Sequence, residues 1–445
     1  MTTHKLDRKI DHTWLIDDDR DSWILGRKGR IDVINMDGIF AAATIHAATI
    51  RIDGAIAIDP NGDAQPGLNL FARKAILTIG ETGRVSSNAA TIHYNNYKGA
   101  VTIDNAGLLQ GQTGIYVTAA QDRTAIGNTG RIDGNTGNGI LAVGAGAAIV
   151  NSGAIKAGYG IQAVSGIGDV DFLDAERATH ITNSGKVTGL SYSIYTGNGF
   201  DVAVNLRNKG TLNGDVWLAD GEDVVDNRGG TINGDVKLGV NNDRFDGRGG
   251  RLNGVLYGGD GDDIVTLASP ATLYVELAGE GYDQVRINAT YRLGANIEAL
   301  VLLGKASHTG IGNSLGNILA GNRGANALYG LDGNDQLLGL QGRDRLDGGD
   351  GTDVLDGGKG NDRLLGGANN DVFVFNPGSG HDQIMDFEPG IDSVKLYDFD
   401  GLASFDDLKM WTSPSGDVVI RLNDTDRLVL RDTDISALTL NDFVF

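Results

Sequence analysis

The sequence has 445 residues, with 37 Lys and Arg against 58 Asp and Glu, which gives a net charge of −21 at pH 7. This surplus of acid argues against nucleic acid as a partner and favours cations or basic surfaces. With 68 Gly, 6 Pro and no Cys, the composition predicts many tight turns and excludes disulfides. No apolar run reaches the roughly 18 residues of a membrane span, so no transmembrane helix is expected.

The first 23 residues are rich in aspartate and contain no apolar stretch of the kind that forms a Sec signal peptide. We therefore expect residues 1–23 to be an acidic N-terminal segment or cap. Export, if it occurs, would need another route.

A longer repeat follows, marked by the phrase Asn-x-Gly before a short apolar strand. Its glycines are spaced by 23, 23, 32 and 25 residues, which suits one coil of a parallel β-helix. We expect this β-helix over residues 24–300, with an insertion at Ser165–His180 in the 32-residue step. The asparagines should form a ladder of side-chain amides along the stack. They are Asn105, Asn128, Asn151, Asn183 and Asn208, followed by Gly107, Gly130, Gly153, Gly185 and Gly210.

Beyond Gly210 the repeat shortens to twenty residues, with Asn213, Asn233 and Asn253 in register. An aspartate follows each at constant offset, which predicts a carboxylate ladder on one edge of the coil. Two interpretations remain open, a ladder that binds metal and a plain ladder of Gly/Asp turns. The aspartates that follow the three asparagines are Asp223, Asp243 and Asp263, and Asp283 continues the series.

Tyr195, Trp217 and Tyr257 fall at equivalent outward positions of these coils, with Lys237 interrupting the series. Such a column can shield the sheet, form a contact for the C-terminal segment or stack on sugar rings. We favour a structural role.

Between Gly312 and Val374 a nine-residue unit repeats seven times without a gap. Each unit predicts a six-residue turn and a three-residue strand whose middle residue points inward. The tight turns require glycine because of positive φ angles and close backbone approach. The inward residues are Leu319, Leu328, Leu337, Leu346, Leu355, Leu364 and Phe373.

The same repeat places aspartates at fixed positions in successive turns. Neighbouring units turn on opposite sides, so same-side partners lie eighteen residues apart. Stacked carboxylates and bare carbonyls form an all-oxygen cage, which suits Ca²⁺ better than Mg²⁺. We expect several Ca²⁺ ions as cofactors. The candidate ligand and turn residues are Asp335, Asp344, Asp353, Asp362, Asp371, Asn326, Gly330, Gly333, Gly339, Gly342, Gly348, Gly349, Asp350, Gly351, Gly357, Gly358, Gly360 and Gly366, with Asp263, Asp283 and Asp382 outside the nonapeptides.

The best units, Gly348–Asp356 and Gly357–Leu365, read G-G-x-G-x-D-x-U-x and resemble the RTX (repeats-in-toxin) calcium-binding family. Residues 378–387, 390–396 and 438–445 are similar to the C-terminal domain shared by serralysins and alginate epimerases. This resemblance implies a β-roll over 301–376 and a cap over 377–445. It also implies a type I secretion signal near the C-terminus, and hence a secreted, extracellular or cell-surface protein.

Catalytic patterns are weak. The seven histidines show no zinc-protease spacing and no G-x-S-x-G occurs. Only Asp59–Lys74 and Ser165–His180 are long enough to hold an active-site loop. The second of these offers Asp169, Asp171, Asp174, Glu176, Arg177 and His180.

We therefore expect an all-β chain: a parallel β-helix solenoid, then a calcium-binding parallel β-roll, then a β-rich C-terminal cap. The favoured function is a secreted, non-enzymatic calcium-binding protein, a surface, matrix or adhesion component that folds on meeting calcium. The alternative is a polysaccharide-modifying enzyme, an epimerase or lyase, that uses the β-helix. Candidate partners are calcium, extracellular polysaccharide or a cell surface, and the type I secretion machinery, with no nucleic acid and no membrane span.

Overall fold

The computed structural model describes residues 3–16, 22–33, 38–41, 47–58, 65–95, 99–118, 124–144, 146–164, 178–197 and 203–445. The chain divides into two compact units, residues 1–260 and 261–445. Within the described ranges the structure is all-β, with three short 3₁₀ turns as its helical elements, and none of its helices could cross a membrane.

In the first unit each coil contributes three strand positions, and each strand pairs in parallel with its equivalent in the next coil. The first column contains Thr3–Leu6, Ser22–Leu25, Ala47–Ile52, Lys74–Ile79, Ala100–Asn105, Thr124–Asn128, Ala148–Asn151, Thr179–Asn183, Val204–Asn208, Val224–Asp226 and Arg244–Asp246. The second contains Lys9–Ile10, Arg30–Val33, Ala55–Ile58, Arg84–Ser86, Leu108–Gln110, Arg131–Asp133, Thr231–Asn233 and Arg251–Leu252. The third contains Trp14–Ile16, Ile39–Ala41, Leu68–Leu70, Ala90–Asn95, Thr113–Thr118, Asn138–Val143, Val236–Val240 and Leu256–Asp260. Three longer strands run through both the second and third columns, namely Ala154–Val164, Lys186–Tyr195 and Thr211–Trp217.

The core of this unit consists of similar apolar residues that stack on one another in successive coils. Because side chains alternate along a strand, every second residue points inward, and parallel register stacks the inward ones. β-Branched residues suit this pleated surface. One buried column of the first strand position is Ile50, Leu77, Ile103, Ile126, Ile149, Ile181, Leu206, Val225 and Phe245.

The asparagine ladder predicted from the Asn-x-Gly phrase is confirmed. Asn151 is fully buried, donates from Nδ2 to Asn183 Oδ1 at 2.8 Å and accepts from Asn128 Nδ2 at 2.7 Å. The ladder extends one residue further than predicted, because Asn208 donates to Asn227 at 2.8 Å. Glycine is needed beside it, since a Cβ on Gly153 would overlap the Gly130 carbonyl oxygen.

The second unit also stacks parallel strands, in two facing columns. One column contains Ile264–Leu267, Gln284–Ile287, Ala299–Leu302, Ile318–Ala320, Gln336–Leu338, Val354–Asp356, Val372–Phe375, Ser393–Leu396 and Phe443–Val444. The other contains Tyr291–Arg292, Thr309–Ile311, Ala327–Asp332, Arg345–Asp350, Arg363–Ala368, His381–Ile384, Arg427–Leu430, Val418–Arg421 and Lys409–Thr412. The last three strands of this column join each other antiparallel. The short strand Tyr274–Val275 and the 3₁₀ turns Phe405–Asp407, Ile435–Ala437 and Leu440–Asp442 complete the unit.

The nonapeptide geometry follows the sequence prediction with one correction. All seven inward residues from Leu319 to Phe373 are fully buried at 0% exposure, and same-side strands are eighteen residues apart. Within the nonapeptides, three-residue strands occur on one side only, as in Gln336–Leu338. On the other side the strands run for six residues, as in Arg345–Asp350, because the turn backbone continues the pairing at Leu331 with Gly349.

Candidate metal sites

Two ladders of acidic residues follow the turns of the second unit. In each ladder the main-chain N–H of one residue donates to Oδ1 of the aspartate one coil further along. Asp335 donates to Asp353 at 2.7 Å, and Asp353 to Asp371 at 2.9 Å. On the opposite edge Asp344 donates to Asp362 at 2.7 Å. Spacing alone therefore identified the partners correctly, and the carboxylates are fixed by the backbone.

The second oxygen of each carboxylate is the unusual feature. Oδ2 is buried and has no hydrogen-bond partner among the described residues in five aspartates of these ladders. They are Asp335, Asp344, Asp353, Asp362 and Asp371. Buried polar atoms are normally satisfied, so these oxygens indicate a missing ligand.

Burial of the ladder aspartates removes water from their carboxylates and raises the pKa of these groups. Burial raises the pKa of Asp335 to about 7, assisted by the charges of Asp353 and Asp332 and opposed by the N–H of Asn317. Burial likewise raises the pKa of Asp371 to about 7. Burial and the neighbouring carboxylates therefore both disfavour the ionised form of these side chains. A bound cation would favour the ionised form.

Glycines shape the space in front of the orphaned oxygens. A Cβ on Gly330 would overlap Asp335 Oδ2, and would lie beside the Gly348 carbonyl oxygen. The same arrangement holds one coil later, where Gly348 faces Asp353 Oδ2. Carboxylate and carbonyl oxygens thus line a cradle that any side chain would fill, and an all-oxygen cradle fits Ca²⁺. When bound, the ion supplies positive charge between the carboxylates of adjacent coils.

The candidate glycines as a set serve two purposes. Some allow close approach of backbone or carboxylate atoms, and others adopt positive φ angles. Five of them each lie against the carboxylate five residues ahead, namely Gly330, Gly339, Gly348, Gly357 and Gly366. Five have φ angles between +78° and +154°, namely Gly333, Gly342, Gly349, Gly351 and Gly358. A Cβ on Gly360 would overlap the Gly342 carbonyl oxygen. Asp350 differs from the other acidic candidates, because its side chain is exposed and its carbonyl accepts from Gly333 N–H at 2.9 Å.

Asparagine replaces aspartate in the first unit of each ladder and changes the chemistry. Asn326 Oδ1 already accepts from Asn322 N–H at 2.8 Å, and its Nδ2 donates to the His308 carbonyl at 3.5 Å. Asn317 likewise donates to the Ile297 carbonyl at 3.1 Å. The amide therefore supplies hydrogen-bond donors where later units have only acceptors.

Both ladders continue past the nonapeptides. Asp382 is buried and its Oδ1 accepts from Asp362 N–H at 2.8 Å, while burial raises its pKa to about 8. Asp392 accepts from Asp371 N–H at 3.0 Å. Sequence reasoning missed Asp392, because it follows Asp371 by 21 residues instead of eighteen. The Gly390-Ile-Asp392 turn was its only signal.

The twenty-residue ladder has the same hydrogen-bond pattern. In the first unit Asp223 N–H donates to Asp243 Oδ1 at 2.7 Å. In the second unit Asp263 N–H donates to Asp283 Oδ1 at 3.0 Å. Burial raises the pKa of Asp223 to about 8 and that of Asp283 to about 7.

Comparison with known proteins addresses these turns directly. The family model of the RTX calcium-binding nonapeptide repeat (4 copies) matches residues 311–346, 338–373 and 347–384. The second unit carries RTX calcium-binding repeats. The resemblance stated from the sequence is thereby confirmed for this part of the chain.

Solved structures similar to this RTX-containing chain include two bacterial proteins. One is the solution structure of the AlgE6R3 subunit from the Azotobacter vinelandii mannuronan C5-epimerase, 24% identical, covering 34% of this chain and 86% of that one, with a TM-score of 0.20. The other is the crystal structure of extracellular lipase LipA from Serratia marcescens, 16% identical, covering 61% of this chain and 45% of that one, with a TM-score of 0.21. No curated protein matches the sequence.

Outside the RTX repeats, the outward aromatic column is in the predicted register, with Tyr195, Trp217, Lys237 and Tyr257 paired in turn. The Lys237 ammonium lies 4.8 Å from the Trp217 ring centroid. Tyr195 meets Trp217 edge to face at 86°. The rings therefore pack against one another and against a cation, and they do not form a coplanar platform for sugars.

The predicted enzymatic loop lies largely outside the described residues, including Asp169, Asp171, Asp174, Glu176 and Arg177, as do residues 59–64 of the other long stretch. His180 is described, and it lies on strand Thr179–Asn183 of the first column. Tyr159 and Tyr195 lie on strands of the other sheet.

Two shallow depressions on the first unit contain acidic and basic residues. In the first, Arg51 makes a two-pronged contact with Asp53 at 2.8 and 3.0 Å. In the second, Arg131 contacts Asp133 at 3.2 Å. These charges neutralise each other at the surface.

Proposed function

We propose that this chain is a secreted, non-enzymatic calcium-binding protein, a surface, matrix or adhesion component whose RTX repeats fold on meeting extracellular calcium. The observation that carries the proposal is the set of buried Oδ2 atoms, such as that of Asp353, which have no hydrogen-bond partner among the described residues. A cation between coils would satisfy them.

Calcium binding and folding are one process in this proposal. The ligands of each site come from turns eighteen residues apart, so an unfolded chain contains no preformed site. Each saturated site adds roughly 2.7 kcal/mol to the stability of the fold at a hundredfold excess of calcium over its dissociation constant. Where calcium is scarce, stacked carboxylates repel one another and the roll stays open. Export before folding is consistent with this order of events.

The enzymatic alternative receives less support from the described residues. It requires the insertion after Val164 to bring His180 or Asp174 towards Tyr159 and Tyr195. Asp174 is outside the described residues, and His180 lies on a different sheet from the tyrosines. In the charged depressions Asp53 and Asp133 are each paired with an arginine, which makes these two carboxylates poorly suited to general acid or base catalysis.

Circular dichroism of the full-length protein in EDTA, followed by added calcium, tests the proposal. We expect β-sheet signal to increase on calcium addition. Hydrogen exchange should show protection gained across residues 311–384, while protection of Asn151 and its neighbours in the first unit stays constant as an internal control. Identical spectra and exchange in both conditions would contradict it. Turnover of uronate polymers by the calcium-loaded protein would instead favour the enzyme.

A further inference from the structure

Three acidic side chains converge at the start of the second unit, outside the RTX repeats. Asp263, Glu276 and Asp283 are buried, and each offers a carboxylate oxygen within 4.8 Å of the other two. Asp263 stands just before strand Ile264–Leu267, and Glu276 just after strand Tyr274–Val275. Separate segments of the chain therefore bring these charges together.

Glu276 occupies a position that the repeat otherwise fills with an apolar residue. Seven residues before the ladder aspartate, the preceding twenty-residue coils carry Val216, Val236 and Leu256, each with 0% exposure. The next coil carries Glu276 there, and only 4% of it is exposed. A carboxylate in the place of a core side chain loses its hydration, which is costly unless hydrogen bonds or an opposite charge compensate the loss.

Asp283 provides a separate indication of a ligand. Its Oδ1 accepts from Asp263 N–H, and its own N–H donates to Glu298 Oε2 at 2.8 Å. The residue is 1% exposed, and Oδ2 has no hydrogen-bond partner among the described residues. The backbone thus fixes this carboxylate while leaving one oxygen available.

Tyr274 adds a fourth oxygen. It is 3% exposed, and its side chain forms a hydrogen bond with that of Glu276. The result is a hard ligand set made only of oxygen.

We propose that Asp263, Glu276 and Asp283 bind one Ca²⁺ ion at a site separate from the RTX repeats. Two ligands of one ion can be separated by at most twice the metal–oxygen distance, about 4.6–5.2 Å for Ca²⁺. The limit of 4.8 Å between the carboxylate oxygens satisfies this condition. Mg²⁺ holds its ligands within about 4.2 Å and keeps several waters, which a buried site disfavours.

The test counts calcium bound to the full-length protein after dialysis against a defined free calcium concentration. Glu276→Leu restores the apolar residue of the repeat, so this variant should fold with an unchanged circular dichroism spectrum. We expect it to bind one Ca²⁺ fewer than the wild type. Asp283→Asn should lose the same ion.

Asp246→Asn is the control, because this carboxylate lies outside the cluster and pairs with Arg248 at 2.7 Å. Its calcium count should equal that of the wild type. An unchanged count in Glu276→Leu overturns the inference, as does an equal loss in Asp246→Asn. Displacement of this ion by equimolar Mg²⁺ overturns the choice of calcium. The proposed function is tested by other residues, since Asp353→Ala should lower the count whether or not this site exists.

Discussion

The main-chain N–H of Asp335 donates to Asp353 Oδ1 at 2.7 Å, while Asp353 Oδ2 is buried and has no partner among the described residues. The Asp353 carboxylate therefore uses its two oxygens differently. Oδ1 bonds to the backbone of the preceding coil, and Oδ2 lies against Gly348. The same hydrogen bond recurs along both ladders, so each of these aspartates contacts the backbone of the neighbouring coil as well as its own turn.

Replacement of Asp353 by alanine should therefore affect two adjacent sites. We expect Asp353→Ala to lower the calcium stoichiometry and the cooperativity of binding. Asn326→Ala is the control and should have a much smaller effect, because the oxygen and nitrogen of that amide already have partners. Calorimetric titration of both variants measures the difference, and equal losses would contradict the assignment of Asp353 as a ligand.

Leu340 is a non-glycine residue with φ +71°, at the position where the next same-side unit has Gly358 with φ +78°. A leucine in the left-handed region costs roughly 1–2 kcal/mol, and 48% of its side chain is exposed, so little burial is lost on removal. Leu340→Gly should raise the free energy of unfolding in saturating calcium by about 1 kcal/mol, after the backbone entropy of glycine is subtracted.

Gly358→Ala provides the reverse test, because its Cβ would overlap the Leu340 carbonyl oxygen. This variant should be less stable than the wild type. Urea denaturation at fixed calcium compares the two, and a stabilised Gly358→Ala would show that backbone strain does not limit these turns.

Asn151→Ala should destabilise the first unit regardless of calcium. It removes the acceptor of Asn128 Nδ2 and the donor to Asn183 Oδ1, and each buried group left unsatisfied costs about 1–3 kcal/mol. Asn233→Ala in the exposed ladder with Asn213 and Asn253 should cost less than about 1 kcal/mol, since water replaces those bonds. Denaturation in chelator gives both values. Similar costs for the two would contradict the importance of burial.

Deletion of Leu438–Phe445 should prevent export if this segment is a type I signal. The structure shows that the same segment also supports the cap, because Phe443 pairs with Val394 and buried Asp442 accepts from Gly390 N–H at 2.7 Å. Loss of export alone could therefore reflect misfolding. Transfer of residues 377–445 to a reporter protein is the necessary complement and should make the reporter exportable. A reporter that remains inside cells with an active type I system would remove this interpretation.

Periodic features were predictable from the sequence, since a fixed spacing in the chain becomes a fixed position in a parallel stack. The inward leucines and the Asn151 column follow from spacing alone. Asn227 carries the same Asn-x-Gly phrase and was overlooked because the repeat shortens there from 25 to 19 residues. The long strand Arg345–Asp350 could not be predicted, because it depends on backbone pairing within the turns.

Glu276 is a different kind of omission. The aspartates Asp263 and Asp283 were visible as members of a ladder, whereas Glu276 belongs to no acidic series. Its position becomes evident when the twenty-residue coils are aligned, because Glu276 then falls where the preceding coil has Leu256. Departures from a repeat are thus more informative than its regular members.

The two kinds of ladder differ in what one more coil adds. A primary amide is both donor and acceptor, so the asparagine column is electrically neutral and every added residue satisfies its neighbour. A carboxylate only accepts, and each added aspartate brings another negative charge. If the chain functions as proposed, each added coil of the carboxylate ladder requires calcium, and the calcium concentration of the surrounding medium would set how many coils fold.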